Sequence, residues 1–381
     1  MKAATLLFFS LFASALLWSQ EKLLWGGGGM LSVGSIIKNY PEFPERGLSK
    51  GIQFEIFLKT KGHKEWHRQF HYPDAGLIFS HYNLGNDEIL GSVSGMQAFL
   101  RIPVFKPYHL HHFFFKPAIG FAWFSKPYDK VKNPENLLMG SHLSNITTME
   151  LEYGRRLAFN VEGLISIGFA HFSNGHTSLP NVGINFPSLS AGVRYNPEYK
   201  TVTDTIACFR KQGWRLNAEA SLGMHEFGET TEPTDGRKYP VYGASVFLSR
   251  TTNFIHSWSL GFTWNYYTSF YDFIKAEELF NTNERWHSGT LIIFGGHEFV
   301  AGHIGIDTRL GLYVTNSFRN KYSREIIHFV EHIKLLNTNR LGLNFYLYPP
   351  AYQTTNAWIG MFIKANAGQA DFAGLSAGIR F

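Results

Sequence analysis

Beyond its first twenty residues the chain has no run of eighteen or more apolar residues, which excludes helices that cross a hydrocarbon core of about 30 Å. Cysteine is nearly absent. Cys208 stands alone, so no disulfide can form within the chain and strand pairing has to hold the fold. No glycine-rich phosphate loop precedes a helix, and no dinucleotide fingerprint or nucleic-acid motif occurs. A strong charge of either sign is also missing: the net charge of +6 suits an anionic lipid surface or simply solvated loops.

What is abundant is glycine, with 37 residues, and aromatics, at 16%, in a chain whose mean hydropathy is only −0.13. Such an average conceals alternating apolar and polar positions, the pattern of a barrel that meets lipid outside and polar groups inside. A soluble all-β domain is the competing class. The first residues, MKAATLLFFSLFASALLWSQ, place Lys2 before an apolar run from Ala3 to Trp18 and read as a signal peptide over 1–20, cleaved near Ser19 or Gln20. The expected location is therefore the outer membrane of a Gram-negative cell.

Period-2 segments are expected at 29–38, 51–60, 75–84, 93–103, 113–124, 142–154, 160–172, 187–196, 213–224, 239–250, 255–268, 288–299, 303–314, 340–348, 356–366 and 371–381. That predicts an antiparallel barrel of about 14–16 strands. If the first strand leaves the periplasm, long connections at 225–238, 269–287 and 315–339 fall outside and short ones at 251–254, 300–302 and 349–355 fall inside. The connection at 197–212 is long where it should be short, which suggests a division into 21–196 and 213–381. LSAGVRYN at 189–196 resembles LSAGIRF at 375–381, each closing a block of eight strands. One large barrel and two small ones both satisfy this list. The last strand ends on Phe381, an aromatic terminus like the signal by which outer-membrane barrels are recognised for assembly.

Chemistry concentrates in FAHFSNGHTSLPNVGIN, residues 169–185. By strand parity Val161, Gly163, Ile165, Ile167 and Phe169 share the lipid-facing file with His171 and Ser173. Asn185 falls in register with the outward Leu189, Ala191, Val193 and Tyr195 of the next strand. Polar groups on a lipid-facing surface cost free energy, so a membrane-embedded substrate is one explanation for them. The plain alternative is a strand end, with an interfacial His and a Ser that opens a turn. His176 is expected to be solvent-exposed, with an alternative base or a phosphate contact as the minority reading.

These residues resemble the outer-membrane lipid A 3-O-deacylases of the PagL type, often labelled acyloxyacyl hydrolases. The shared pattern is His-x-Ser-Asn, a glycine, then Pro-Asn-x-Gly, here His171, Ser173, Asn174, Gly175, Pro180, Asn181 and Gly183. The resemblance covers about 25–196 and implies an eight-stranded barrel there. It further implies Ser173 as nucleophile, His171 as base and Asn174 as oxyanion donor, with lipid A or a related outer-leaflet lipid as substrate and no metal or cofactor. Asn185 stands where that family has a glutamate; it can orient the imidazole but brings no negative charge. Gly175, followed by His176, is shifted by one place. The rival function is a non-catalytic barrel: a pore, an adhesin or a structural protein.

Two further histidine groups raise the question of a metal site, His109 with His111 and His112, and His297 with Glu298 and His303. Neither has a third ligand at a recognisable spacing. Basic stretches at 59–68 and 126–132 could meet lipid phosphates or simply face water.

Overall fold

Alternation of side chains along each segment has one consequence the sequence leaves open, namely where the sheets close. In the computed structural model, which describes residues 24–105, 111–197, 213–231, 236–322 and 329–381, they close twice. The first barrel consists of β1 (Trp25–Gly34), β2 (Ser49–Lys59), β3 (Asp74–Asn83), β4 (Ser92–Pro103), β5 (His111–Phe124), β6 (Leu143–Ala158), β7 (Val161–Ser173) and β8 (Ile184–Tyr195). The second consists of β9 (Arg215–Glu226), β10 (Lys238–Thr252), β11 (His256–Tyr267), β12 (Gly289–Ala301), β13 (Ile304–Thr315), β14 (Asn337–Tyr346), β15 (Asn356–Asn366) and β16 (Gln369–Arg380). Every neighbouring pair is antiparallel; β8 returns to β1 and β16 to β9. The wide single barrel is thereby excluded. The two similar stretches at 189–196 and 375–381 lie on the equivalent closing strands, with Leu189 opposite Val33 and Leu375 opposite Leu222.

Strand parity runs as the alternation requires. Ile165, Ile167 and Phe169 of β7 face outward, while Glu162, Leu164, Ser166 and Ala170 are buried in the lumen. The first strand begins four residues earlier than expected, taking in Gly26–Gly29. A Cβ at Gly26 would strike the Phe57 ring at 2.0 Å, so glycine there makes room for a side chain that crosses the lumen.

Eight strands leave an interior just wide enough for side chains, and both lumens are filled. In the first, Arg101 pairs with Glu152 at 2.5 Å and Glu162 at 3.1 Å, Lys116 with Glu150 at 2.8 Å, and Arg194 with Glu55 and Asp74, each at 2.9 Å. In the second, Glu219 takes Arg309 at 2.9 Å and Arg340 at 2.5 Å, and Lys364 pairs with Asp371 at 2.7 Å. Buried charges persist only when paired. At its outer end the first barrel is capped by an apolar cluster that includes Ile36, Phe43, Leu138, Phe172, Ile184 and Phe186.

The barrels meet at both ends. On the inner side the connection 60–73 is long, as the gap between the expected strands 51–60 and 75–84 required, and holds a helix at Glu65–Gln69. Trp66 and Phe70 from this segment pack against Phe254, Ile255 and Ala351 of the second barrel. On the outer side the segment 174–183 meets the second barrel, as described below. The expected signal peptide over 1–20, the connection after Pro197, and His109 lie outside the described residues.

Candidate active site at the outer junction of the barrels

β7 delivers His171 and Ser173 to the outer rim on one file, two residues apart. Their inward neighbour Phe172 and the inward Ile184 and Phe186 of β8 are anchored in the apolar cap, which fixes both strand ends. Across the β7–β8 ladder His171 stands opposite Asn185. His171 Nδ1 lies 2.8 Å from Asn185 Oδ1. An amide oxygen can only accept, so Nδ1 carries the proton and Nε2 keeps its lone pair.

Ser173 shares the outward parity but is only 6% exposed, because the connection to β8 folds over it. Its Oγ receives two donors: the backbone N–H of Gly175 at 3.2 Å and Nδ2 of Asn181 at 3.1 Å. Asn181 Oδ1 in turn accepts the N–H of Asn174 at 3.1 Å. Asn174 directs its own amide away from Ser173, donating to Ser141 Oγ at 3.1 Å and to the Ser178 carbonyl at 2.6 Å. Pro180 follows a cis Leu179–Pro180 peptide bond. Gly183 has φ +78°, and a Cβ there would lie 3.5 Å from His171 Cε1. At that positive φ glycine avoids backbone strain and leaves space beside the imidazole.

His176 overturns its sequence reading. It is buried rather than solvent-exposed, with its ring 6.5 Å from that of His225 in the second barrel. Burial pushes this imidazole below its usual pKa, against the opposing pull of Asp371. Two contributions escaped the sequence: the Asn181 side chain on Ser173 Oγ, and the second barrel's contact with the loop. The Pro-Asn-x-Gly motif marked Asn181 without its contact; nothing local marked the second barrel.

His297 and Glu298 of the second histidine group are adjacent on β12 and so lie on opposite faces of the sheet. Glu298 lies in the lumen with Asn344 and Tyr346, while His297 sits beside His256 and Trp258. Among the described residues no three His, Cys, Asp or Glu side chains gather as a metal site.

Residues 51–194 match the family model for lipid A 3-O-deacylase (PagL), and residues 214–330 match that for the acyloxyacyl hydrolase C-terminal domain. The first barrel belongs to the PagL family. The whole is an outer-membrane protein of two barrels, with the deacylase match in the first and the C-terminal-domain match beginning at residue 214, just before β9. Among solved structures, the outer-membrane enzyme PagL aligns with 45% of this chain and 99% of its own, at 17% identity and a TM-score of 0.30. The β domain of the Bordetella autotransporter BrkA aligns over 93% of this chain and 98% of its own, at 7% identity and a TM-score of 0.23. No curated protein sequence matches this chain.

Proposed function

We propose that the first barrel is a serine esterase that removes an ester-linked acyl chain from lipid A, working from the outer leaflet. The observation that carries this reading is Ser173 Oγ held by two N–H donors on the same outward file as a histidine oriented by Asn185. Ser173 Oγ attacks the ester carbonyl while His171 Nε2 takes its proton. The tetrahedral oxyanion collapses to an acyl-enzyme, and the sugar alkoxide leaves as an alcohol with the proton from His171. Water, deprotonated by the same nitrogen, then releases the fatty acid.

The oxyanion needs donors near Ser173, and the Gly175 N–H and the Asn181 amide are those that already converge there. We assign them this role in place of Asn174, whose amide is engaged by Ser141 and Ser178. Asn185 holds the imidazole tautomer without adding charge.

A wide pore gains no support from this architecture, since each barrel has eight strands and ion pairs across its lumen. Mass spectrometry of lipid A from cells that express the wild type or Ser173→Ala tests the proposal. Loss of one hydroxyacyl chain only with the wild type is expected. Unchanged lipid A in both, with a heat-modifiable barrel in the outer membrane, would favour a non-catalytic adhesin or structural role.

A further inference from the structure

The loop that surrounds Ser173 makes many of its polar contacts outside its own barrel. The N–H of Asn181 donates to the Thr230 carbonyl at 2.8 Å, and the N–H of Leu179 donates to Glu226 Oε2 at 3.0 Å. In the other direction the N–H of Glu226 donates to the His176 carbonyl at 2.9 Å. His176 Nε2 lies 3.3 Å from the Gly228 carbonyl. The Glu226 carboxylate, 2% exposed, also accepts the Gly236 N–H at 3.1 Å and the Lys238 ammonium at 2.7 Å, so it joins the outer loop of the second barrel to the loop of the first. Gly175 rests on the outer face of β15–β16, where a Cβ on it would come within 2.8 Å of Ala373 Cβ.

Loops are the segments most prone to local opening, and a catalytic donor displaced by about 1 Å can cost a hundredfold in rate. Asn181 lies one hydrogen bond from Ser173 Oγ on its side-chain end and one from Thr230 on its backbone end. We propose that the second barrel is a positioning element for the esterase site of the first, with Glu226, Thr230 and Ala373 fixing residues 175–181 so that Asn181 and the Gly175 N–H stay aimed at Ser173 Oγ. This rests on Ser173 being the nucleophile. It gives the second barrel a task that requires neither a pore nor a second active site.

The test uses the full chain in mixed micelles of detergent and lipid A, with acyl release followed by mass spectrometry. Glu226→Ala is expected to lower kcat about tenfold or more, a barrier change of about 1.4 kcal/mol, with KM within about twofold and heat-modifiable mobility unchanged. Glu226→Gln, whose amide oxygen can still accept the Leu179 N–H, is expected to recover most of kcat. Wild-type kcat in Glu226→Ala, a change confined to KM, or a Gln variant as slow as the Ala variant would overturn the proposal. If Glu226→Ala fails to assemble, Ala373→Phe decides: an aromatic is tolerated at an interfacial outer position, but here it presses on Gly175. A similar loss of kcat supports the proposal and wild-type kcat overturns it. An inactive wild type, or a Ser173→Ala variant with full activity, would instead remove the nucleophile reading and the proposal with it.

Discussion

Asn185 accepts a 2.8 Å hydrogen bond from His171 Nδ1 across the β7–β8 ladder, so the histidine is oriented by a neutral group. A carboxylate in the same place would keep the tautomer and add charge stabilisation when the ring is protonated in the transition state. Asn185→Asp is therefore expected to raise kcat about tenfold, and Asn185→Ala to lower it, as measured by acyl release. Equal rates in all three would remove Asn185 from the mechanism.

The two asparagines of the motif divide their tasks. Asn181 meets Ser173 Oγ, whereas Asn174 ties the loop to Ser141 and Ser178. Loss of an oxyanion donor typically costs a factor of about 10²–10³ in kcat. Asn181→Ala should show that loss. Asn174→Ala should instead loosen the loop, seen as faster proteolysis near 174–183, with a smaller effect on kcat. The reverse order of effects would return the oxyanion role to Asn174.

Inside the first barrel Glu152 faces both Arg101, at 2.5 Å, and Lys116, at 3.3 Å. Removing one partner from a buried ionic network leaves charge without compensation, at a cost of about 3–5 kcal/mol. Glu152→Ala should lower the temperature at which the heat-modifiable band converts, while Glu152→Gln should do so less. An unshifted transition in the Ala variant would show that the network contributes little.

Each barrel contact has a histidine outside the strands, His176 buried and His67 half-buried. Burial first, then the nearby Lys64 and His63, lowers His67 from 6.5 to about 4. His176 is lowered as well, mainly by burial. A group whose folded value is depressed is protonated more readily when unfolded, so its contribution is present above pH 6.5 and is lost as pH falls toward the folded value. Acidification from pH 7 to pH 4 should expose the 60–73 segment to protease, and His67→Gln should blunt that dependence. Protection that stays constant over this range in the wild type would contradict the linkage.

The covalent pattern alone determined much of this. Period-2 alternation fixed which side chains face lipid, because pleating leaves no other choice. It placed His171 and Ser173 on one outward file and Asn185 in register beside them, and the spacing of Asn-Gly and Pro-Asn-x-Gly marked the loop between. Closure was different. Sixteen strands can form one ring or two, and the choice lies in whether β8 finds β1, a pairing between residues about 160 positions apart, as in Gly34 with Ser188 and Gly27 with Tyr195. No local pattern encodes such a partner. The same holds for His176, which looked like an exposed loop residue because the surface that buries it belongs to Glu226, Gly228 and His225 of another barrel. It holds too for the Asn181 amide, whose aim at Ser173 follows from a loop held at both ends. Strand periodicity is written residue by residue; burial of a loop depends on what the rest of the chain brings against it.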